Sequence, residues 1–166
     1  MIPYMKILTL GNELLKEKAQ KIDKIDDEII ELANKMLEIL KRDNGVGVAG
    51  PQVGVNKRIF VTHIHNDEPR IFINPSILET SLKTVKYEEG CLSVPGVYSN
   101  VTRPESIKIQ AWNEKGRPFT METGGLLARV ILHEFDHLEG VLFLDRLPES
   151  KRGKLIEKYQ KINKSC

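Results

Sequence analysis

Cysteine is nearly absent from this chain: two residues, Cys91 and Cys166, in a length of 166. That excludes the disulfide framework of a small secreted protein. Cys166 is the last residue, where chain ends tolerate almost any side chain, so only Cys91 invites a chemical reading. An excess of charge of one sign is missing too. Lys and Arg number 25 against 23 Asp and Glu, a formal charge of +2, and no overall field demands nucleic acid or a membrane surface as partner. Long apolar runs are also lacking: none approaches the roughly 20 residues of a membrane helix. The opening Met1 to Leu10 leads straight into Gly11-Asn12-Glu13 without the apolar core and cleavage site of a secretory signal. An intracellular, cytoplasmic location is the expectation, with no membrane partner. The chain has no repeat, low-complexity tract or linker, and its length suits a single domain over residues 1–166. What remains, 40% hydrophobic and 29% charged residues, is the composition of a globular protein with a real core.

From Asp26 to Arg42 the apolar residues Ile29, Ile30, Ala33, Met36, Leu37 and Leu40 recur at helical spacing, with Asp26, Asp27 and Glu28 at the end where the helix dipole favours negative charge. The spacing predicts an amphipathic helix that Asn44-Gly45 ends. The stretch Gly45-Val46-Gly47-Val48-Ala49-Gly50-Pro51-Gln52 holds too many breakers for a helix or long strand and reads as a shaped loop. Strand-like runs follow at Arg58 to Ile64, Arg70 to Ile73, Ile77 to Tyr87 with breaks, and Ser106 to Trp112, after which Asn113-Glu114-Lys115-Gly116 supplies a hairpin turn. Leu126 to Leu138 contains neither Gly nor Pro and is apolar on several faces, which predicts a helix buried in the middle of the domain and stopped by Gly140. Ser150 is positioned to cap a last helix with Leu155, Ile156, Tyr159 and Ile162 on one face and lysines on the rest. The order predicts an α+β fold, with mostly antiparallel sheets around a central helix and a further helix at the C-terminus.

That central helix carries His133-Glu134-Phe135-Asp136-His137, the H-E-x-x-H pattern. At about 100° per residue, positions four apart lie about 40° from each other, so both imidazoles project from one face as two ligands of one metal ion. Glu134 sits beside the first ligand, where a carboxylate can exchange a proton with water activated at the ion, an arrangement suited to metal-assisted hydrolysis. Accidental spacing on an exposed helix is the bland alternative, and the apolar flanks Leu132, Phe135 and Leu138 argue against it, since burying these groups without partners is costly. Catalytic sites of this kind usually have a third protein ligand. The candidates are Cys91, Asp136, Glu139, His63 and His65. A thiolate at Cys91 suits zinc or ferrous iron, whereas His63 and His65 alternate around Ile64 beside the polar run Asn66-Asp67-Glu68.

Three segments, in order, resemble the peptide deformylases: the glycine-rich Gly45 to Gln52, then Glu89-Gly90-Cys91-Leu92-Ser93, then the His133 to His137 helix. The similarity continues through Arg103-Pro104 to Asp145 and covers most of the chain. The resemblance implies an enzyme that removes the N-formyl group from N-formylmethionyl nascent peptides and releases formate. It implies one divalent metal ion per chain on Cys91, His133 and His137, with ferrous iron as the expected native ion and zinc as the alternative. Glu134 matches the general base, the Gln52 side-chain amide and Leu92 backbone N–H match oxyanion donors, and Gly47 matches a backbone contact near the formyl group. Val46, Leu126 and Val130 fit the walls of a methionine slot, with Arg129, one turn before His133, also on that face. Glu89 and Arg103 match a pair that braces the metal loop. Where the family usually has Ala-Ala before Pro-Gln this chain has Ala49-Gly50, a change expected to loosen the loop. Two rival functions share the metal: a peptidase, which would normally take its third ligand downstream of the helix, and a structural metal protein, which would need a fourth protein ligand. The C-terminal Lys151, Arg152, Lys154, Lys158, Lys161 and Lys164 form the one uneven patch of charge, either a solvated face or, as the resemblance implies from bacterial members that dock on the ribosome through a C-terminal helix, a contact with ribosomal RNA.

Overall fold

The computed structural model describes residues 5–163, so the first four residues, Lys164 and Cys166 lie outside the described residues. Helix α1 spans Asp27–Asp43, one residue from the expected bounds. The Asp26 carboxylate caps it by accepting from the Ile29 backbone N–H at 3.1 Å, and Asn44 closes it in the left-handed conformation. Its buried stripe is Ile29, Leu32, Ala33, Met36, Ile39 and Leu40.

Seven strands follow in two sheets. They are β1 (Gly47–Ala49), β2 (Ile59–Thr62), β3 (Arg70–Thr80), β4 (Thr84–Cys91), β5 (Val94–Pro104), β6 (Ser106–Trp112) and β7 (Pro118–Gly124). β1-β2-β3-β6-β7 form a five-stranded sheet, and β4 pairs with β5 as a separate hairpin; every pairing is antiparallel. The strands of the larger sheet send alternate residues to opposite faces. Val48, Ile59, Val61 and Ile73 pack against α1, while Ala49, Phe60, Phe72, Ile107, Ile109 and Ala111 form a second core with helix α2 (Gly125–Leu138). Phe60 stacks on Phe72 with ring centroids 4.7 Å apart. The hairpin meets α2 from its other side, through hydrogen bonds from Arg129 to Val85 and Val101. The third core joins Val94, Val97 and Val101 of β5 to Leu142, Phe143 and Leu144, at the 3-10 turn Phe143–Arg146, and to Tyr159 of helix α3 (Glu149–Asn163). This is an α+β fold with antiparallel sheets and a C-terminal helix. Among the described residues no helix is long and apolar enough to cross a membrane.

Four local expectations need correction. The glycine-rich stretch is not all loop: Gly47–Ala49 pair with Phe60, Val61 and Thr62, and Gly50–Val53 make a 3-10 turn. The runs Arg70 to Ile73 and Ile77 onward are not separate at their start: Arg70–Thr80 is one strand, β3, and the expected break before Tyr87 falls at residues 81–83. Strand β5 was not expected at all. Ser150 lies inside the first turn of α3, where the Pro148 carbonyl accepts the Arg152 N–H at 2.9 Å, instead of capping the helix.

Candidate metal centre and cleft

Cys91 closes β4 and pairs with Val94, so Leu92-Ser93 is the two-residue tip of the hairpin. That tip brings the thiol against the helix face that bears His133 and His137. One donor atom from each of Cys91, His133 and His137 lies within 4.8 Å of the others. Cys91 Sγ is 3.3 Å from His137 Nε2, and the two imidazole centroids are 5.2 Å apart. His63 and His65 are exposed and outside this group. The other two candidate ligands are engaged elsewhere: Asp136 accepts from Arg103 and Arg146, and Glu139 pairs with Arg58 at 2.8 Å.

The donors suit a divalent ion. Glu89 Oε1 lies 2.9 Å from His133 Nδ1. Burial works to raise the Glu89 carboxyl, but hydrogen bonds from His133 and Arg103 outweigh it and hold its pKa at about 2. An ionised carboxylate can only accept, so His133 Nδ1 carries a proton. Burial works to lower the ring's pKa, but the hydrogen bond and charge of Cys91, then Glu89, outweigh it and hold it well above the usual histidine value, so a metal would take Nε2 in place of the ring's second proton. Burial first, then the charges of His133 and Arg103, keeps His137 well below the usual histidine pKa and therefore neutral, as a ligand must be. One sulfur and two imidazole nitrogens match zinc or ferrous iron, and three protein ligands are the complement of a catalytic rather than a closed structural site. Buried beside them, Glu134 Oε1 has no hydrogen-bond partner among the described residues, as expected where a further polar species belongs.

Glu89 is the hub beneath the three candidate ligands. It accepts from Arg103 Nε at 2.6 Å and Nη2 at 3.0 Å, from Arg129 Nη1 at 2.6 Å, and from His133. Arg103 Nη1 reaches on to Asp136 at 2.9 Å, and Asp136 also receives Arg146 Nε at 3.0 Å and Nη2 at 2.6 Å. Sequence reasoning paired Glu89 with Arg103 but missed Asp136 and Arg146 as the continuation. The signal was present: a second carboxylate inside a buried helix demands a buried cation.

Burial pushes the Glu134 carboxyl up to about 7; His133 opposes the rise and Glu89 adds to it. Space for this side chain depends on Gly47, where a Cβ would stand 2.7 Å from Glu134 Oε2 and 2.9 Å from Val130 Cγ1. Gln52 is buried, with Oε1 accepting from the Ala49 N–H at 2.9 Å. Its Nε2 then points into the site, donating to Ser93 Oγ at 3.1 Å and facing Cys91 Sγ at 3.6 Å. Ser93 is a partner that the sequence did not reveal. Gly50 does not loosen this turn. A Cβ there would come within 2.8 Å of both the Val55 and Lys57 carbonyls, so the glycine lets residues 55–57 close in.

A cleft of about 420 Å3 opens onto these groups. Val46, Leu126 and Val130 wall it together with Leu92, and the exposed rings of Tyr87 and Tyr98, unforeseen from sequence, stand along its edge. Arg129 also lines the cleft, although its guanidinium is bonded to Glu89 and to two hairpin carbonyls.

A two-histidine helix, a thiol on a hairpin tip, a buried carboxylate and an inward amide donor put the chain in the class of hydrolases that work through an H-E-x-x-H helix. Comparisons narrow the class. The sequence profile of the polypeptide deformylase family matches residues 4–153. A peptide deformylase of Borreliella burgdorferi is 44% identical over 158 residues, 95% of this chain and 96% of the relative. One from Neisseria meningitidis is 44% identical over 162 residues, 96% of each chain. Among solved structures, a Legionella pneumophila peptide deformylase superposes with a TM-score of 0.92 at 36% identity, covering 98% of this chain and 96% of that one. A Synechococcus elongatus peptide deformylase, solved in complex with actinonin, gives 0.89 at 38% identity, covering 95% and 88%. The chain belongs to the polypeptide deformylase family and is a hydrolase.

Proposed function

We propose that the chain removes the N-formyl group from N-formylmethionyl nascent peptides in the cytoplasm, releasing formate, with one divalent metal ion held by Cys91, His133 and His137. The observation that carries this reading is the convergence of those three donors, within 4.8 Å of one another, beside the buried Glu134 at an apolar cleft. Ferrous iron is the native ion of the proposal and zinc the alternative, because a thiolate and two imidazoles suit both. When bound, the ion supplies a Lewis acid that polarises the formyl carbonyl and eases deprotonation of water. Glu134, with its pKa at about 7, accepts a proton from the attacking water and returns it to the departing amine. The Gln52 Nε2 and Leu92 N–H donate to the carbonyl oxygen as it gains negative charge, a contribution on the order of 3 kcal/mol per donor in comparable sites. Gly47 sets the backbone beside the formyl group. Val46, Leu126, Val130 and the stem of Arg129 receive the methionine side chain, whose flexible thioether suits an apolar slot.

The test is formate release from a short formyl-Met peptide by protein purified without oxygen, with N-acetylated and unformylated peptides as controls and metal counted by elemental analysis. Release from the formyl peptide alone, with about one metal per chain as three ligands in one cluster imply, is the expected result. Bound metal without release would overturn the reading. As a further part of the proposal, the exposed Lys151, Lys154, Lys158 and Lys161 of α3 contact ribosomal RNA phosphates. Binding to ribosomes should then weaken steeply with added salt, and salt-independent or absent binding would refute it.

A further inference from the structure

We infer that Arg129 is a positioning residue of the metal centre: its guanidinium locks the helix that carries two of the ligands to the hairpin that carries the third. The inference rests on the metal reading above. Arg129 is buried on α2, one turn before His133. Its Nη1 donates to Glu89 Oε2 at 2.6 Å and to the Val101 carbonyl at 2.9 Å, and its Nη2 donates to the Val85 carbonyl at 2.6 Å. One planar group therefore binds both strands of the hairpin, at two places on β4 and one on β5. The Tyr87 ring covers the guanidinium carbon at 5.7 Å.

The geometry makes this more than another ion pair. Cys91 lies two residues beyond Glu89 on β4, whereas His133 and His137 belong to α2, so the distance between sulfur and nitrogens depends on how firmly hairpin and helix are joined. Arg103, the other cation on Glu89, comes from β5 of the same hairpin and joins it to α2 through Asp136, three residues beyond His133, whereas Arg129 joins them one turn before it. The Arg129 contact runs directly from helix to hairpin at the carboxylate that orients His133. With its charge matched by Glu89, Arg129 presents an aliphatic stem to the cleft without offering an unpaired cation to an uncharged substrate residue.

Arg129→Met keeps a stem of similar length and removes the fork; Arg129→Lys keeps the charge but cannot span the same acceptors. The readouts are the rate at which zinc-loaded protein loses zinc to a chelator, without substrate present, and the separate kcat and KM values for a formyl-Met peptide. Arg129→Met should lose zinc on the order of tenfold faster or more, as loss of a group that orients a ligand does. Its kcat should fall while KM moves by less than about twofold, because the wall is kept. Arg129→Lys should fall between Arg129→Met and the parent. Leu126→Ala, which alters only the wall, should raise KM and leave zinc loss at the parent rate. Zinc loss from folded Arg129→Met at the parent rate would overturn the inference. Should that variant not fold, parent-rate loss from Arg129→Lys would overturn it and faster loss would support it. Failure of the parent protein itself to hold zinc would refute the metal reading and the inference together.

Discussion

The two faces of α2 are both buried and are held by opposite means. Toward the five-stranded sheet, Leu127, Ala128, Ile131 and Leu138 pack with Phe60, Phe72, Ile107 and Ile109. That face gains from area removed from water, about 25 cal/mol per Å2, without regard to direction. Toward the hairpin, Arg129, His133 and Asp136 meet Glu89 and Arg103 in charged contacts of 2.6 to 2.9 Å. A buried ion network returns little net stability after desolvation, but its geometry is directional and its members cannot be deleted singly without cost. The apolar face fixes where the helix lies. The charged face fixes the rotation and reach of the side chains that would hold a metal.

Breaking each face separately should give different signatures. Glu89→Gln leaves Arg103 and Arg129 facing a neutral amide in the interior, and should cost about 3–5 kcal/mol in urea unfolding. It should also speed metal loss by about 10- to 100-fold. Ile131→Ala on the apolar face should cost about 2–5 kcal/mol through lost burial and a residual cavity. In contrast to Glu89→Gln, its kcat/KM per folded molecule should stay at the parent value. Gly47→Ala sharpens the comparison from the cleft side, since its Cβ would crowd Glu134 Oε2. Steady-state kinetics should show activity reduced by up to about 100-fold, with the urea midpoint moving less than in Ile131→Ala. Lys35→Ala removes an exposed pair with Glu38 at 3.4 Å on α1. It should change stability by no more than about 0.5 kcal/mol and leave kinetics alone.

The same contrast explains what could be read from the chain before its fold was known. Helix α1 was legible because Ile29, Ala33, Met36 and Leu40 repeat at helical spacing and Asp26 caps them. The H-E-x-x-H helix was legible because its two candidate ligands sit four residues apart, and Cys91 was found through its motif. Strand β5 was missed because the residues it turns inward include Ser99 and Arg103, and because Pro95, Gly96 and Pro104 resemble breakers. From Val97 to Arg103 its period of two is intact in burial and hidden in polarity. The partners of Asp136 were invisible for a related reason: Arg103 and Arg146 lie 33 and 10 residues away in sequence, and only the hairpin's docking on α2 and the chain's return after it bring them together. Ser93 reaches Gln52 across 41 residues by the same docking.

The most direct test of the central claim, that a metal-binding triad and a buried carboxylate beside it form one hydrolytic site, is formate release by Glu134→Gln with metal measured in the same sample. The account expects about one metal per chain, as in the parent, and formate release lowered by about 10²- to 10⁴-fold, the usual contribution of a general acid-base group. Release within about tenfold of the parent, with metal still bound, would contradict it, because the proton would then be moving through another group.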